Sequence, residues 1–194
     1  MNRCFALIGL ALIFVVSVAS QASPERTVKH NLVRLSRILD MKSPTQRTSR
    51  LIRELHRNFD YDAFEQKVLV DTASKFSPPQ RKRFNTAFRQ MFERKIVSLA
   101  DDESLRCDDF IVTAGNRETD VVVTCLHNGK EDPITLHFSP VKNGKIRDIS
   151  FSGALLSRNY RGVINKLLRK EGIESLIQKI ESKSANSISG QSLL

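Results

Sequence analysis

Hydrophobic positions along this chain change period twice, and the changes divide it into three stretches. From Val28 onward apolar residues recur at helical spacing: Val28, Leu32, Leu35 and Leu39 form one stripe and predict a first helix. Ser43-Pro44-Thr45-Gln46 then reads as a helix start, with serine as the cap, proline in the first turn and glutamine placed to complete a capping box. The same device recurs at Ser77-Pro78-Pro79-Gln80. It opens a long helix in which Phe84, Phe88 and Phe92 share one face, widened by Ala87 and Met91. Between these starts, Phe59, Phe64, Val68 and Leu69 predict a shorter helix.

The middle of the chain alternates instead. Residues 105–114 and 119–127 read as a hairpin around Gly115-Asn116-Arg117, with Ile111 opposite Val121 and Asp109 opposite Val123. Asn128-Gly129 and Asn143-Gly144 are turn signals on either side of a third strand at 134–141, and 145–152 follows as a fourth. Helical period then returns through Tyr160, Ile164, Leu167 and Leu168, and past Glu171-Gly172 through Ile173, Leu176, Ile177 and Ile180. Helices, a run of strands and helices again predict an α+β fold: a four-stranded antiparallel sheet packed against several helices. One sheet face is to be covered by the phenylalanine helix or its neighbours.

The N-terminus changes the chemical setting. Met1-Asn2-Arg3 is a basic start, residues 5–19 form an apolar run broken only by Ser17, and Ser20-Gln21-Ala22 offers small residues for cleavage. Residues 1–22 are therefore expected to be a signal peptide rather than a retained anchor, because a spanning helix needs about 20 apolar residues. That leaves one domain over 23–183 and a serine-rich tail over 184–194. Cys4 goes with the signal, so Cys107 and Cys125 remain as an even pair in an oxidising space. The hairpin brings them to facing strands, and a structural disulfide is expected. A metal site would want further ligands at tight spacing, and the chain has neither C-x-x-C nor H-x-x-x-H.

Net charge is +10, of which the signal carries only Arg3. Export makes nucleic acid an unsuitable partner and leaves anionic lipid headgroups, lipopolysaccharide or an acidic protein. Arg81, Lys82, Arg83, Arg89 and Arg94 on the phenylalanine helix are candidates for such docking, and plain solvation of helix faces is the alternative. No nucleophile elbow, nucleotide loop or zinc-protease motif is present. His127 and His137 fall on strands near Asp132 and Asp148, so a His/Asp acid–base pair is one conceivable chemistry, while His30 and His56 read as solvated. The phenylalanine stripe fits either ordinary core or the wall of a lipid cavity, and composition alone does not separate them.

Motif order separates them better. The stretch KIRDISFSGALLSRNYRGVINKLLRKEGIESLIQKIESK resembles the end of the MlaC family, also called toluene-tolerance auxiliary transport proteins. The likeness rests on Asp148, Gly153, Asn159-Tyr160-Arg161, and Gly172 with Leu176-Ile177. Upstream, NFDYDAFEQKVL and SPPQRKRFNTAFRQMF resemble the family's two preceding helices, so the likeness covers roughly residues 28–183 in the family's order. Ala73 and Lys145 stand where the family usually carries tryptophan, and Val163 where a bulky aromatic is common, which bears on cavity shape.

The resemblance implies a monomeric periplasmic phospholipid carrier, not an enzyme and without a cofactor, its cargo held in an apolar cavity of the α+β fold. Its implied partners are an inner-membrane ABC transporter complex with an MCE-domain subunit and an outer-membrane Mla lipoprotein–porin complex, a system supporting outer-membrane lipid asymmetry. The cavity wall is expected from Phe84, Phe88 and Phe92 facing Leu136 and Phe138 on the sheet. Tyr160, Val163, Ile164 and Leu167 would close the far side, with Phe151 and Leu155 near the turn. Arg161 would meet the phosphate or pair with Asp148. The alternatives are a cystatin-like interaction module and a small exported His/Asp enzyme.

Overall fold

The computed structural model describes residues 24–101, 107–116, 119–127, 130–138, 145–151 and 153–185; the signal-peptide expectation for 1–22 lies outside them. Helices α1 (Pro24–Leu39), α2 (Pro44–Asn58), α3 (Tyr61–Val68) and α4 (Pro78–Ala100) come first, with a short 3-10 turn at Ala73–Lys75. Strands β1 (Asp109–Ala114), β2 (Asp120–His127), β3 (Lys130–Phe138), β4 (Ile146–Phe151) and β5 (Ala154–Leu155) follow, and α5 (Leu156–Ala185) ends the fold. Local chemistry sets the starts. Ser43 Oγ accepts from Gln46 N, and at α4 both halves of the capping box form between Ser77 and Gln80. Asp60 caps α3 through Ala63 N at 3.2 Å. Gly172, at φ 79°, breaks α5 into two helical runs as the Glu-Gly signal indicated.

The sheet is antiparallel and its strands lie in chain order, but there are five strands where four were expected. The fifth is two residues long, too short to carry a period, and folds back after Gly153 to pair Leu155 with Ser150. Strand β3 starts at Lys130 rather than residue 134: Asn128-Gly129 lies between the paired His127 and Lys130, and Pro133 is taken into the ladder opposite Thr124. The β1–β2 register also differs from expectation. Val112 faces Val123 and Ala114 faces Val121, because this pairing buries three valines and leaves Ile111 45% exposed. Gly115 N donates to Asp120 O at 2.9 Å, which extends the ladder to the glycine. A Cβ at position 115 would stand 2.6 Å from Asp120 Cβ, which is why glycine closes this turn. Ser184, assigned to the tail, is buried on the last turn of α5.

Cys107 and Cys125 are disulfide-bonded with Cα atoms 5.4 Å apart, although Cys125 stands opposite Phe110 in the ladder. Cys107 reaches it from just before β1, where Asp108 N donates to Leu126 O. With the two cysteines 18 residues apart, the bond stabilises by about 3 kcal/mol in the chain-entropy model. A Cys107→Ser/Cys125→Ser variant is therefore expected to lose about that much in urea unfolding. A loss near zero would refute the staple.

The core has one side of the sheet as its floor. Val112, Val121, Val123, Leu136 and Ile149 are buried there, with α1 covering β1 and β2 and with α3 and α5 against β4. The phenylalanine helix lies mainly on α5 and α2 instead of on the sheet. Its rings form a column: Phe84 stacks on Phe88 at 5.5 Å, Phe88 on Phe64 at 6.1 Å, and Phe92 on Phe59 at 5.2 Å.

Candidate functional site

The other side of the sheet is half open. Alternation sends Val122, Thr135, Ser150 and Leu155 to this face, and register aligns them as one row across β2 to β5. Asp120 and His137 form the next row. Together with Lys67, Asn116, Arg147 and Gly153 they line a cleft of about 360 Å³. Its chemistry is mixed: cations and hydroxyls stand beside Val122 and Leu155.

Two hydrogen-bond systems build it. His137 Nδ1 stands 2.9 Å from Asp120 Oδ1, and its Nε2 stands 3.3 Å from Ser150 Oγ. The acid that partners His137 is thus Asp120, not Asp148, although Asp148 lies opposite it in the ladder. Asp148 is fully buried and accepts from Ile149 N at 3.0 Å, Ser157 N at 3.2 Å, Ser157 Oγ at 2.6 Å and Lys67 Nζ at 3.0 Å. This carboxylate ties the start of α5 and the last turn of α3 to the sheet. Arg161 does not pair with Asp148. It donates through Nε and Nη2 to Lys67 O at 2.9 and 2.6 Å, and so holds the C-terminal carbonyls of α3. One residue, Lys67, is held at both ends, with its ammonium turned to the cleft.

Carboxylate, imidazole and hydroxyl in that order match the connectivity of a nucleophilic triad. Ser150, however, sits inside β4 and is paired on both sides, to Thr135 and to Leu155, so the amides beside it are spent on the ladder rather than offered to an oxyanion. The described residues hold no metal-ligand cluster. What the cleft offers is donors to an anionic oxygen. Lys67 and Arg147 line it, and Arg147 Nε is buried without a hydrogen-bond partner among the described residues.

The residues expected as cavity wall divide into two groups. Phe84, Phe88, Phe92, Leu136, Tyr160 and Ile164 are buried in the closed core; Tyr160 meets Phe88 edge-on at 5.2 Å, and burial pushes its phenol up to about 12. Phe151, Leu155, Arg161, Val163 and Leu167 are half-buried. Phe138 lies on β3 opposite Ile146. The structure thus brings the phenylalanine stripe to α3 and α5, and it brings Leu155 alone of this set into the cleft lining. Lys67, Thr135, Arg147 and Ser150 were missed, because only strand register and the docking of α3 bring them to one cleft.

Other basic expectations are also corrected. Arg83 bonds Glu174 at 2.8 Å and Glu181 at 3.0 Å, stitching α4 to α5. Arg89 lies 4.5 Å over the Tyr61 ring and 3.3 Å from Glu65. His56 is exposed, as expected, and also has its Nε2 2.7 Å from Glu93 Oε1. Burial pushes the Glu65 carboxyl up to about 7 from 4.5 in spite of Arg89. The unfolded chain ionises near the ordinary value while the folded chain keeps the proton. Stability from this group is therefore full below about pH 4.5 and drains as pH rises through about 7. With solvent screening allowed for, the loss is about 2 kcal/mol. Glu65→Gln is expected to remove that slope, so its melting temperature should gain on wild type as the buffer moves from acid to mildly alkaline. A parallel pair of curves would refute the assignment.

Fold and cleft together define a class: a small α+β binding protein whose single sheet is packed with helices on one face and opens a polar-edged cleft on the other. Among the described residues no helix is long and apolar enough to cross a membrane. The family model for MlaC protein matches residues 27–182, and the chain belongs to that family. A similar solved structure is that of the phospholipid-binding protein from Ralstonia solanacearum in complex with a phospholipid. It is 22% identical, with a TM-score of 0.66, and the match covers 84% of this chain and 98% of that one. No curated protein matches the chain.

Proposed function

We propose that this chain is a periplasmic phospholipid carrier, the soluble component of an Mla-type ABC transport system. In this reading residues 1–22 direct export and are removed, and 23–183 form the lipid-binding domain. The domain acts as a monomer, exchanging lipid with an MCE-domain transporter complex at the inner membrane and a lipoprotein–porin complex at the outer one. Family membership over residues 27–182 supports it, as does the phospholipid bound by the Ralstonia protein. The observation that carries it in this chain is the cleft, where Lys67 and Arg147 stand beside Leu155. Half-buried Phe151, Leu156 and Leu167 pack on the core. Acyl chains enter along that apolar edge, between α5 and β4, while the phosphate stays among the cations. Val163 and Leu167 line the tract, and Tyr160, Ile164, Leu136 and the Phe84, Phe88 and Phe92 column form its floor. Arg161 serves by holding Lys67 rather than by touching phosphate.

Such a carrier answers a physical need. Each acyl CH₂ exposed to water costs about 0.8 kcal/mol, so a diacyl lipid crosses an aqueous compartment only when its chains are covered. Mature protein purified from periplasm without detergent should release about one equivalent of phospholipid into organic solvent, as read by mass spectrometry. Folded protein that is free of lipid would overturn the reading.

A further inference from the structure

Helices α1 and α2 carry most of the protein's charge excess. Residues 24–58 hold nine Lys and Arg against three Asp and Glu, a net +6 of the whole chain's +10. Of the three acids, Glu54 is buried and is held by two arginines at once, Arg34 from α1 and Arg57 at 3.2 Å from its own helix. This bridge locks the two helices side by side and hides its negative charge. On either flank stands an exposed stripe. Lys29, Val33 and Arg37 follow one another at four-residue steps on α1, and Arg50 and Arg53 lead to Arg57 on α2. Lys29, Arg37, Arg50 and Arg53 make no ion pair among the described residues, unlike Arg83 and Arg89 of α4, which acids of α5 and α3 engage. Val33 is 54% exposed in the middle of the cations.

We infer that this two-helix face is a docking surface for an anionic phospholipid bilayer. The choice of occupant rests in part on the carrier reading, since the complexes that would load and unload the cargo are embedded in bilayers. It rests also on the pattern itself. The stripe positions carry one sign and spread over two helices, with Glu25 at the start of α1 and Asp40 just past its end. No interleaved acid fixes a register, which suits a laterally fluid layer of phosphates better than a protein surface with fixed partners. An exposed apolar side chain among Lys and Arg is the composition of helices that lie in the headgroup region. The core-facing side chains of α1, Val28, Leu32 and Leu35, stay buried, so docking needs no unfolding.

The test is flotation of the mature protein with vesicles of phosphatidylethanolamine alone or mixed with phosphatidylglycerol. Binding is expected only to the mixed vesicles and is expected to weaken as salt rises, since screening shortens from about 10 Å at 0.1 M to 3 Å at 1 M. Each cation at an anionic surface is worth about fivefold, so Arg37→Gln/Arg50→Gln/Arg53→Gln should weaken vesicle binding by about a hundredfold. These side chains lie outside the core and the cleft, so melting temperature and bound lipid should be unchanged. Equal binding to both vesicles, or a triple variant that floats like wild type, would overturn the inference. So would indifference to anionic vesicles with salt-sensitive capture by an acidic protein. A protein that carries lipid yet ignores vesicles refutes the docking alone, whereas a folded protein without lipid refutes the carrier.

Discussion

Val163→Asp should give a folded protein that has lost its phospholipid, and Phe88→Asp should give one that does not fold. The two positions lie on helices that pack together, α5 and α4, and both were expected to line one cavity. Val163 is half-buried on α5, so in the lipid-free chain an aspartate there keeps contact with water and the fold survives. Covered by an acyl chain, the same carboxylate would be unpaired and dry, at a cost of several kcal/mol, and the lipid is released. Phe88 is wholly enclosed: it stacks on Phe84 and Phe64 and receives Tyr160 edge-on. Losing the ring alone costs about 3–5 kcal/mol, and burying a charge in its place adds to that. Against a total stability of about 5–15 kcal/mol, the sum is disabling. Lipid content and thermal melting read on the same preparations decide the matter. A folded Phe88→Asp protein, or a Val163→Asp protein that keeps its lipid, would contradict the division between floor and tract.

Asp148→Ala is expected to cost about 3–5 kcal/mol, the range for breaking a buried charge pair. Four donors converge on this one carboxylate, two of them backbone amides. The loss should appear first at the junction of β4, β5 and α5, since Ser157 is the second residue of α5. Lys67→Met should cost less than Asp148→Ala, because the buried carboxylate loses its counter-charge but keeps three donors, Ile149 N, Ser157 N and Ser157 Oγ. Urea unfolding of both single variants and the double variant measures the coupling between them. An Asp148→Ala loss below about 1 kcal/mol would mean that the carboxylate is not the clamp the hydrogen bonds describe.

Much of the architecture was legible before any coordinates. Ser43 and Ser77 start helices where their Ser-Pro-x-Gln pattern says, the chain reverses between the paired His127 and Lys130, and Gly172 breaks the last helix. These are signals of a few adjacent residues, and the physics that reads them is equally local. The paired cysteines were legible for a different reason, since setting Cys4 aside with the expected signal leaves an even pair on facing strands. Less legible were features that depend on what lies across a strand or between helices. The hairpin register was misplaced because Ile111 and Val112 are equally good core residues by composition, and only the packing of α1 on β1 and β2 selects the valine. Strand β5 was invisible because two residues have no period. Phe84, Phe88 and Phe92 were correctly read as one buried face, but a stripe does not say what it faces, and here it faces α3 and α5.

The sequence by itself determined the helix starts, the antiparallel run of strands, the disulfide and the α+β class, since each follows from residue spacing along one chain. Tertiary structure alone decided which polar residues meet. Lys67, Asp148, Ser157 and Arg161 come from three separated segments, and Asp120, His137 and Ser150 from three strands, so their association depends on register and helix docking. It decided likewise which positive charges are engaged and which are exposed. Arg83 and Arg89 look no different in sequence from Arg50 and Arg53, but acids of α3 and α5 reach the first pair and not the second. Long-range contacts are set by the sum of all packing choices, and no local pattern encodes that sum.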